Sequence, residues 1–503
     1  MSSPRSATGI TEGPLVGPMV RLAWPIVVIQ LLQVTYNIAD TFWLGALSSE
    51  AVGALSLAFP IIFFLISIGG GFTTAGSILV AQHTGAGGEE EASAVAGQTL
   101  SFVSIVAVVI GVVGYLLVDP MLGLLPADEQ TATVIVPMAA DYMRVFFLGS
   151  PFLFGFFVFS ALMQGYGETR PPMRIMAVSV LLNVVLDPLF IFGVGSFDGM
   201  GIRGAAIATV LSRAVATVIG LYVIFGTDAG PSVERRHLSP DVDRIREIVR
   251  IGVPTAAEQS TSSLAMVVLT GMVATFPPAV VAAYGLGNRL SSLVFLPAMG
   301  LGQATNTMVG QNLGARKPDR AERAVRLAGA LVAGVMFAVA LVAFLVPEPL
   351  VSAFLSADSP QAVATIAYGS DYLRIMAPMF VFMGVLQVVL GAFRGAGSTR
   401  TALAFSMVTL WVVRVPATYL LVFLGDWGPT GIWTGVALGD TVGAIVAVAW
   451  FLRGTWKDAV VADADETNTD TDVEADVGLE TDTDAGPETD SDAETDPEPP
   501  AAD

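Results

Sequence analysis

Long apolar runs separated by short polar segments form the main pattern of this 503-residue chain. Many runs reach the about 20 residues that an α-helix needs to cross a bilayer. In lipid a helix satisfies its own backbone hydrogen bonds, whereas a barrel would show short alternating strands. The pattern predicts twelve membrane-spanning helices, over residues 20–46, 51–80, 95–118, 137–163, 173–193, 202–226, 247–275, 279–309, 324–346, 368–393, 401–424 and 431–453.

The second half of the chain repeats the first at an offset of 227 to 230 residues. Four blocks recur in the same order: "AQHTGAGGEEEA" at 81–92 with "GQNLGARKPDRA" at 310–321, "DYMR" at 141–144 with "DYLR" at 371–374, "QGYGETR" at 164–170 with "RGAGSTR" at 394–400, and "GIRGAA" at 201–206 with "GPTGIW" at 428–433. Six helices per repeat is an even number, so both halves have the same orientation. We therefore predict an all-α polytopic membrane protein with two six-helix lobes related by a pseudo-two-fold axis along the membrane normal.

Positive charge is concentrated in the connections that follow the even-numbered helices, such as "GETRPPMR" and "GARKPDRAERAVR". The alternate connections contain a single base, Arg203. The positive-inside rule then places both termini in the cytoplasm and the protein in the cell membrane. The predicted organisation is a cytoplasmic N-terminal segment, an N-lobe, a cytoplasmic linker, a C-lobe and an acidic tail, at 1–19, 20–226, 227–246, 247–453 and 454–503.

Composition supports this class and excludes several kinds of chemistry. The chain is 53% hydrophobic, 14% charged and free of cysteine, which rules out thiol chemistry and disulfides. Its two histidines, His83 and His237, lie in polar connections, which argues against a zinc or haem site. The net charge of −20 comes mainly from residues 458–503, which hold 18 acids and no base and are expected to be disordered. The acidic composition also fits a salt-rich habitat.

Two acids lie inside apolar helices of the first half, where an ionisable group is costly and is a functional candidate by default. Asp40 follows Gln33, Tyr36 and Asn37 at helical spacing, which gives predicted helix 1 one polar face. On predicted helix 5, Asn183 and Asp187 share a face with Met176, and Thr209 lies near the outer end of predicted helix 6. Two carboxylates held together in a low dielectric cannot both stay ionised without a cation. Asp40, Asn183, Asp187 and Thr209 are therefore predicted to bind Na⁺ or a shared proton.

The second half does not repeat these acids, because Ala417 corresponds to Asp187. A different polar set, Glu258, Gln259 and Arg414, is the candidate C-lobe site. Glu258 is either a second cation-sensitive group or the partner of a buried arginine, and the sequence leaves both open.

The motifs together resemble the multidrug and toxic compound extrusion (MATE) transporter family. The resemblance rests on the paired "QHTGAG" and "QNLGAR" loops, "QGYGETR" and the pattern "NVVLDPLFIFG…GIRGAAIAT". The cation set is similar to that of the DinF-like branch, and with the acidic composition it suggests a halophilic archaeon. The resemblance implies a supporting role for Tyr142 and a substrate cavity lined by Gln33, Tyr36 and Met176, and the polar face of predicted helix 1 adds Asn37 as a possible support of the cation site.

The expected function is therefore export of organic, cationic or amphipathic compounds, driven by Na⁺ or H⁺. The chain shows no P-loop and no hydrolase motif, so we expect no enzyme activity and no cofactor besides the coupling ion. The expected partners are small organic molecules and the lipid bilayer, with no nucleic acid, and the protein is expected to be a monomer. Two alternatives are a lipid-linked precursor flippase and a non-transporting membrane scaffold. A flippase would need a basic central cavity, for which the candidates are Arg144, Arg213, Arg289, Arg374 and Arg414.

Overall fold

The computed structural model describes residues 8–123, 129, 131–195, 197–355 and 359–457. Residues 458–503 of the predicted acidic tail lie outside the described residues. Within the described part, twelve long helical segments follow one another in the predicted order. They are α1 (Val16–Leu47), α2 (Ser49–Gly85), α3 (Glu89–Gly123), α4 (Thr131–Leu148, continuing as Ser150–Tyr166), α5 (Arg170–Phe192), α6 (Ile202–Gly226), α7 (Val242–Val273), α8 (Pro278–Gly314), α9 (Pro318–Leu345), α10 (Pro360–Gly395), α11 (Thr399–Leu424) and α12 (Pro429–Phe451).

Short elements complete the described fold. Helical turns occupy Thr8–Thr11, Arg235–Leu238 and Pro347–Ser352. A small antiparallel hairpin, β1 (Gly193–Val194) with β2 (Phe197–Asp198), connects α5 to α6 and was not predicted. Within α11, the segments Val408–Arg414 and Leu420–Leu424 are π-helical.

Most helices begin earlier or end later than the apolar runs predicted. The reason is that polar residues at the membrane surface continue a helix beyond its lipid-facing part, as the acids that start α3 and the basic turn that starts α9 do. By length and composition, eleven of the described helices could cross a membrane. The sequence "EQSTSS" and the charged first turns make α7 too polar to be among them.

Apolar side chains cover the outside of the helix bundle. Leu116, Leu181 and Tyr222 are each 68% exposed, and many other large apolar residues are similarly open. In a soluble protein such a surface would be a liability, whereas lipid tails are a suitable solvent for it. Two buried apolar clusters fill the first six helices, one around Phe154 and Phe159 and the other around Phe146 and Phe147.

The two lobes meet through equivalent helix pairs. In the first lobe α5 packs on α1 and α6, and in the second α10 packs on α8, α9 and α12. Between the lobes, α1 packs on α8 and α2 packs on α7. Because helices 1 and 7 correspond, as do helices 2 and 8, these two contacts are related by the pseudo-two-fold axis.

The same symmetry appears at the end of the bundle that contains the "QHTGAG" and "QNLGAR" turns. Gln82 Nε2 donates to the carbonyl of Gly395 at 2.9 Å, and Gln311 Nε2 donates to the carbonyl of Gly165 at 2.9 Å. Both glutamines are fully buried. Gln82 corresponds to Gln311 and Gly165 to Gly395, so the two bonds are one interaction made twice across the lobe boundary.

Two glycines permit this close approach. A Cβ on Gly85 would lie 2.0 Å from the Gln311 carbonyl oxygen, and one on Gly314 would lie 1.9 Å from the Gln82 carbonyl oxygen. No side chain fits at such distances. The lobes are therefore in backbone contact here, and we call this contact the closed end of the bundle.

Candidate cation and substrate site

The structure brings the four predicted cation-binding residues together in the first lobe. Asp40 comes from α1, Asn183 and Asp187 from α5, and Thr209 from α6. All four are buried, with at most 5% of each residue exposed. The meeting point follows from the helix packing, since α5 lies between α1 and α6 and presents two residues one turn apart.

Hydrogen bonds order this cluster. Asn183 Nδ2 donates to Asp187 Oδ1 at 3.0 Å, within one face of α5. The Tyr36 hydroxyl donates to Thr209 Oγ1 at 2.6 Å and so connects α1 to α6. Asp40 and Asp187 are close enough for the charges of their carboxyl groups to interact.

Three oxygen acceptors in the cluster are buried without a hydrogen-bond partner in the described structure. They are Asp40 Oδ1, Asn183 Oδ1 and Asp187 Oδ2. A buried acceptor left unpaired costs about 1–3 kcal/mol, and more when it is charged. The geometry therefore favours a proton or a hard cation among these oxygens.

The two supporting residues occupy different surroundings. Tyr142 of α4 is 5% exposed, and it lines the same cavity as Asp40 and Thr209. Asn37 is exposed, and its Oδ1 accepts from Gln33 Nε2 at 3.3 Å. Tyr142 thus belongs to the buried cluster, whereas Asn37 stands outside it.

A cavity of about 340 Å³ adjoins the cluster. Its polar wall is formed by side chains from α1, α4, α6 and α8: Gln33, Tyr36, Asn37, Asp40, Thr41, Tyr142, Thr209, Arg213 and Arg289. The remaining lining is aliphatic and aromatic apart from Ser56. Gln33 and Tyr36 therefore lie where the resemblance implies, but Met176 is only 1% exposed and does not line the cavity.

Arg213 lines the cavity, although it was not predicted to belong to the cation site or the substrate cavity. In the sequence it was only one of five arginines that a flippase would need for a basic central cavity. In the structure it lies in the middle of α6, is 3% exposed and faces Gln33 and Met176. A lone arginine within the apolar run "IATVLSRAVATVIG" was the available signal.

Glu258 in the second lobe is held by an arginine. Its carboxylate accepts from Arg394 Nη2 at 2.6 Å and Nε at 3.2 Å, and from Ser406 Oγ at 2.8 Å. Of the two interpretations left open, this geometry matches the partner of an arginine, here one that is only partly buried. Gln259 is half-buried on the neighbouring face, where its amide approaches Gly70 of α2.

Arg414 forms a different ion pair, with Asp440 of α12. Glu258 and Arg414, which were predicted to share one site with Gln259, therefore have different partners: Glu258 pairs with Arg394, and Arg414 pairs with Asp440. Asp440 was missed, although an acid in the apolar run "GVALGDTVGAIV" meets the criterion that identified Asp187. In the part of the chain that the structure describes, no three His, Cys, Asp or Glu side chains form a group that could hold a metal ion.

Comparisons with known proteins agree with the geometry. The MatE family matches residues 25–189 and 254–420, one segment in each repeat. The "Probable multidrug resistance protein YpnP" of Bacillus subtilis is 30% identical, over 90% of this chain and 98% of its own length. An "FAD transporter" of Shewanella oneidensis is 27% identical over 82% of this chain and 89% of its own. The solved structure of a MOP superfamily transporter from Pyrococcus furiosus superposes with a TM-score of 0.83 at 26% identity, covering 91% of this chain and 99% of that one.

Proposed function

The chain belongs to the MatE family of membrane transporters, and on that premise we propose that it is an antiporter that exports organic compounds in exchange for Na⁺ or H⁺. The relatives' names include both multidrug resistance and FAD transport, so membership alone leaves the cargo open. The proposed cargo is organic and cationic or amphipathic, because the cavity combines an aromatic wall with a polar one.

The unpartnered oxygens of Asp40, Asn183 and Asp187 carry this proposal. Carboxylate, amide and hydroxyl oxygens are hard donors, which suit Na⁺ as well as a shared proton. The site also adjoins the substrate cavity directly, since Asp40 and Thr209 belong to both. A cation bound here can therefore change the affinity for substrate.

We propose that the cation and the substrate bind alternately. Cation binding neutralises Asp40 and Asp187 and favours a different path of α1, whose Pro25 lacks the N–H of a regular helical bond. Since Gln33 and Tyr36 are on α1, its movement reshapes the cavity and releases the substrate. A monovalent cation moving down a tenfold gradient supplies about 1.4 kcal/mol, and the membrane potential adds roughly 2.3 kcal/mol per 100 mV.

The orientation of this cycle follows from the charges. By the positive-inside rule we propose that both termini, and with them the closed end of the bundle, face the cytoplasm of a cell-membrane protein. The described conformation then corresponds to an outward-facing state. We further propose that the protein is a monomer with lobes at 20–226 and 247–453. Its set of Asp40, Asn183, Asp187 and Thr209 favours the DinF-like branch of the family. Its acidic composition favours a halophilic archaeal source.

The two alternatives are not favoured. A flippase would present a basic cavity, but the wall here contains Asp40 beside its arginines. A scaffold without transport would have no use for a buried cluster of unpaired oxygens, which costs stability.

Reconstitution into proteoliposomes tests the proposal. Efflux of ethidium and norfloxacin is measured under an imposed Na⁺ gradient and, separately, an imposed H⁺ gradient. We expect one gradient to drive efflux, and we expect Asp40→Asn and Asp187→Asn each to abolish it while the protein still folds. Asp119→Asn is the matched control, because Asp119 is an exposed carboxylate paired with Arg144. Undiminished transport in both site variants would disprove the site.

A further inference from the structure

Arg213 is a buried cation that forms no direct ion pair, and the acid whose charge acts on it is Asp40. Among the residues described in α1–α12, it takes part in no salt bridge, although it is only 3% exposed. Two partly buried arginines of the second lobe are paired instead: Arg394 with Glu258, and Arg414 with Asp440. Burying a charge without a counter-charge is strongly unfavourable, so its presence in the first lobe calls for a role.

The partners of Arg213 are neutral groups. Its Nη2 donates to Gln33 Oε1 at 2.7 Å, and its Nη1 donates to Met176 Sδ at 2.9 Å. The guanidinium carbon lies 5.1 Å from the centre of the Tyr36 ring and 5.5 Å from that of Phe156. These contacts hold the group in place and leave its positive charge intact. They also use two of the five N–H donors that a guanidinium carries.

The cavity contains a negative group as well as this positive one. Arg213 and Asp40 both line it, and Tyr36 neighbours each of them, since its ring contacts Arg213 and it precedes Asp40 by one helical turn. A second arginine, Arg289 of α8, reaches the cavity from the other lobe. The rest of the wall is aromatic and aliphatic, including Phe59, Phe146 and Phe157.

We propose that Arg213 binds the carboxylate of the exported compound, and that the preferred cargo is an aromatic zwitterion rather than a simple organic cation. This inference rests on the proposed function and specifies its substrate class. A guanidinium matches a carboxylate with two parallel hydrogen bonds, and burial strengthens that pair. A protonated amine on the same molecule then faces Asp40, where it competes with the coupling cation. A cation without an acidic group finds no partner at Arg213 and should therefore bind less tightly than a zwitterion.

The competing explanation is structural. Through Gln33 and Met176, Arg213 connects α6 to α1 and α5, and its loss could simply loosen the lobe. The two roles differ in one respect: a structural role affects all ligands alike, whereas a carboxylate anchor affects only ligands that carry a carboxylate.

A ligand pair makes this distinction measurable. Norfloxacin contains an aromatic bicycle, a carboxylate and a basic amine, and its ethyl ester keeps the bicycle and the amine but replaces the carboxylate with an uncharged, slightly larger group. Binding of both to the purified full-length protein is measured by titration calorimetry, in the wild type, Arg213→Gln and Arg213→Lys. We expect the wild type to bind the acid at least about tenfold more tightly than the ester, the scale of one charge-assisted hydrogen-bonded pair. Arg213→Gln should abolish this preference, and Arg213→Lys should keep part of it.

The matched control is Arg203→Gln, which neutralises an exposed arginine on the same helix outside the cavity and should keep the full preference. An equal preference in Arg213→Gln, or none in the wild type, overturns the inference. If Arg213→Gln does not fold, the wild-type preference and Arg213→Lys still decide it. Gradient-driven ethidium efflux tests the proposed antiport separately from the carboxylate preference. Loss of efflux with the acid preference intact would contradict only the antiport, and efflux without an acid preference would contradict only the role of Arg213.

Discussion

Arg213 of α6 and Asp440 of α12 occupy equivalent positions in the two repeats, 227 residues apart, and carry opposite charges. The C-lobe acid is neutralised within the protein by Arg414, whereas the N-lobe arginine has only neutral partners. The C-lobe charge is therefore satisfied internally. We expect the charges of the N-lobe, Arg213 together with Asp40 and Asp187, to act on ligands instead.

The Arg414–Asp440 pair should contribute to stability and not to ion coupling. Removing one partner of a buried ion pair costs about 3–5 kcal/mol, because the other charge is left unpaired. We expect Asp440→Asn to lower the melting temperature markedly, and the double variant Arg414→Gln with Asp440→Asn to recover part of the loss. Tryptophan fluorescence during heating provides the measurement. A double variant less stable than the sum of the two singles would contradict the pairing.

Glu258 is expected to behave in the same way. Three hydrogen bonds from Arg394 and Ser406 occupy its carboxylate, which leaves little capacity for a transported cation. Glu258→Gln should therefore reduce thermal stability while the ion dependence of efflux stays unchanged. The measurement is the half-saturating cation concentration in proteoliposomes. A shift in that value comparable to the effect of Asp187→Asn would show that Glu258 is a coupling residue.

Thr209→Val tests the hydroxyl of the cation site without changing its shape much. The substitution removes the acceptor of the Tyr36 hydroxyl and one oxygen near Asp40. We expect the half-saturating cation concentration to rise about tenfold, the usual effect of losing one supporting group at a cation site. Thr217→Val is the control on the same helix, since its hydroxyl donates to the Phe152 carbonyl, outside the cavity. Equal effects of the two variants would exclude a specific role for Thr209.

Gly85→Ala should prevent the closed end from forming. The new methyl group would lie 2.0 Å from the Gln311 carbonyl oxygen, and overpacking of this kind costs about 1–3 kcal/mol. Because the chain has no cysteine, a single cysteine at Ser77 reports the accessibility of this end without background labelling. We expect faster labelling in Gly85→Ala and no change in Gly329→Ala, where a Cβ meets nothing within 4 Å. Unchanged labelling in both would contradict a tight closure.

The sequence was informative wherever the signal is local or periodic. Apolar runs predict helices, and helical spacing placed Asn183 and Asp187 on one face, where the structure has them. Partners across helices were harder, because they depend on which helices meet. Arg394 lies 136 residues from Glu258, and nothing in either segment indicates the pair. Arg213 and Asp440 were undervalued for the same reason, since a charge in an apolar run acquires meaning only from its neighbours.

The two equivalent hydrogen bonds of Gln82 and Gln311 also limit how the two halves of a duplicated protein can diverge. Each repeat supplies one amide donor and one carbonyl acceptor, so neither half can release the other alone, and a change in either weakens the whole contact. The two copies were free to acquire different chemistry at Asp187 and Ala417, or at Arg213 and Asp440, because each lobe encloses its own interior. At the closed end the two repeats form one shared contact and must match each other. The symmetry between the repeats is therefore clearest in these two hydrogen bonds.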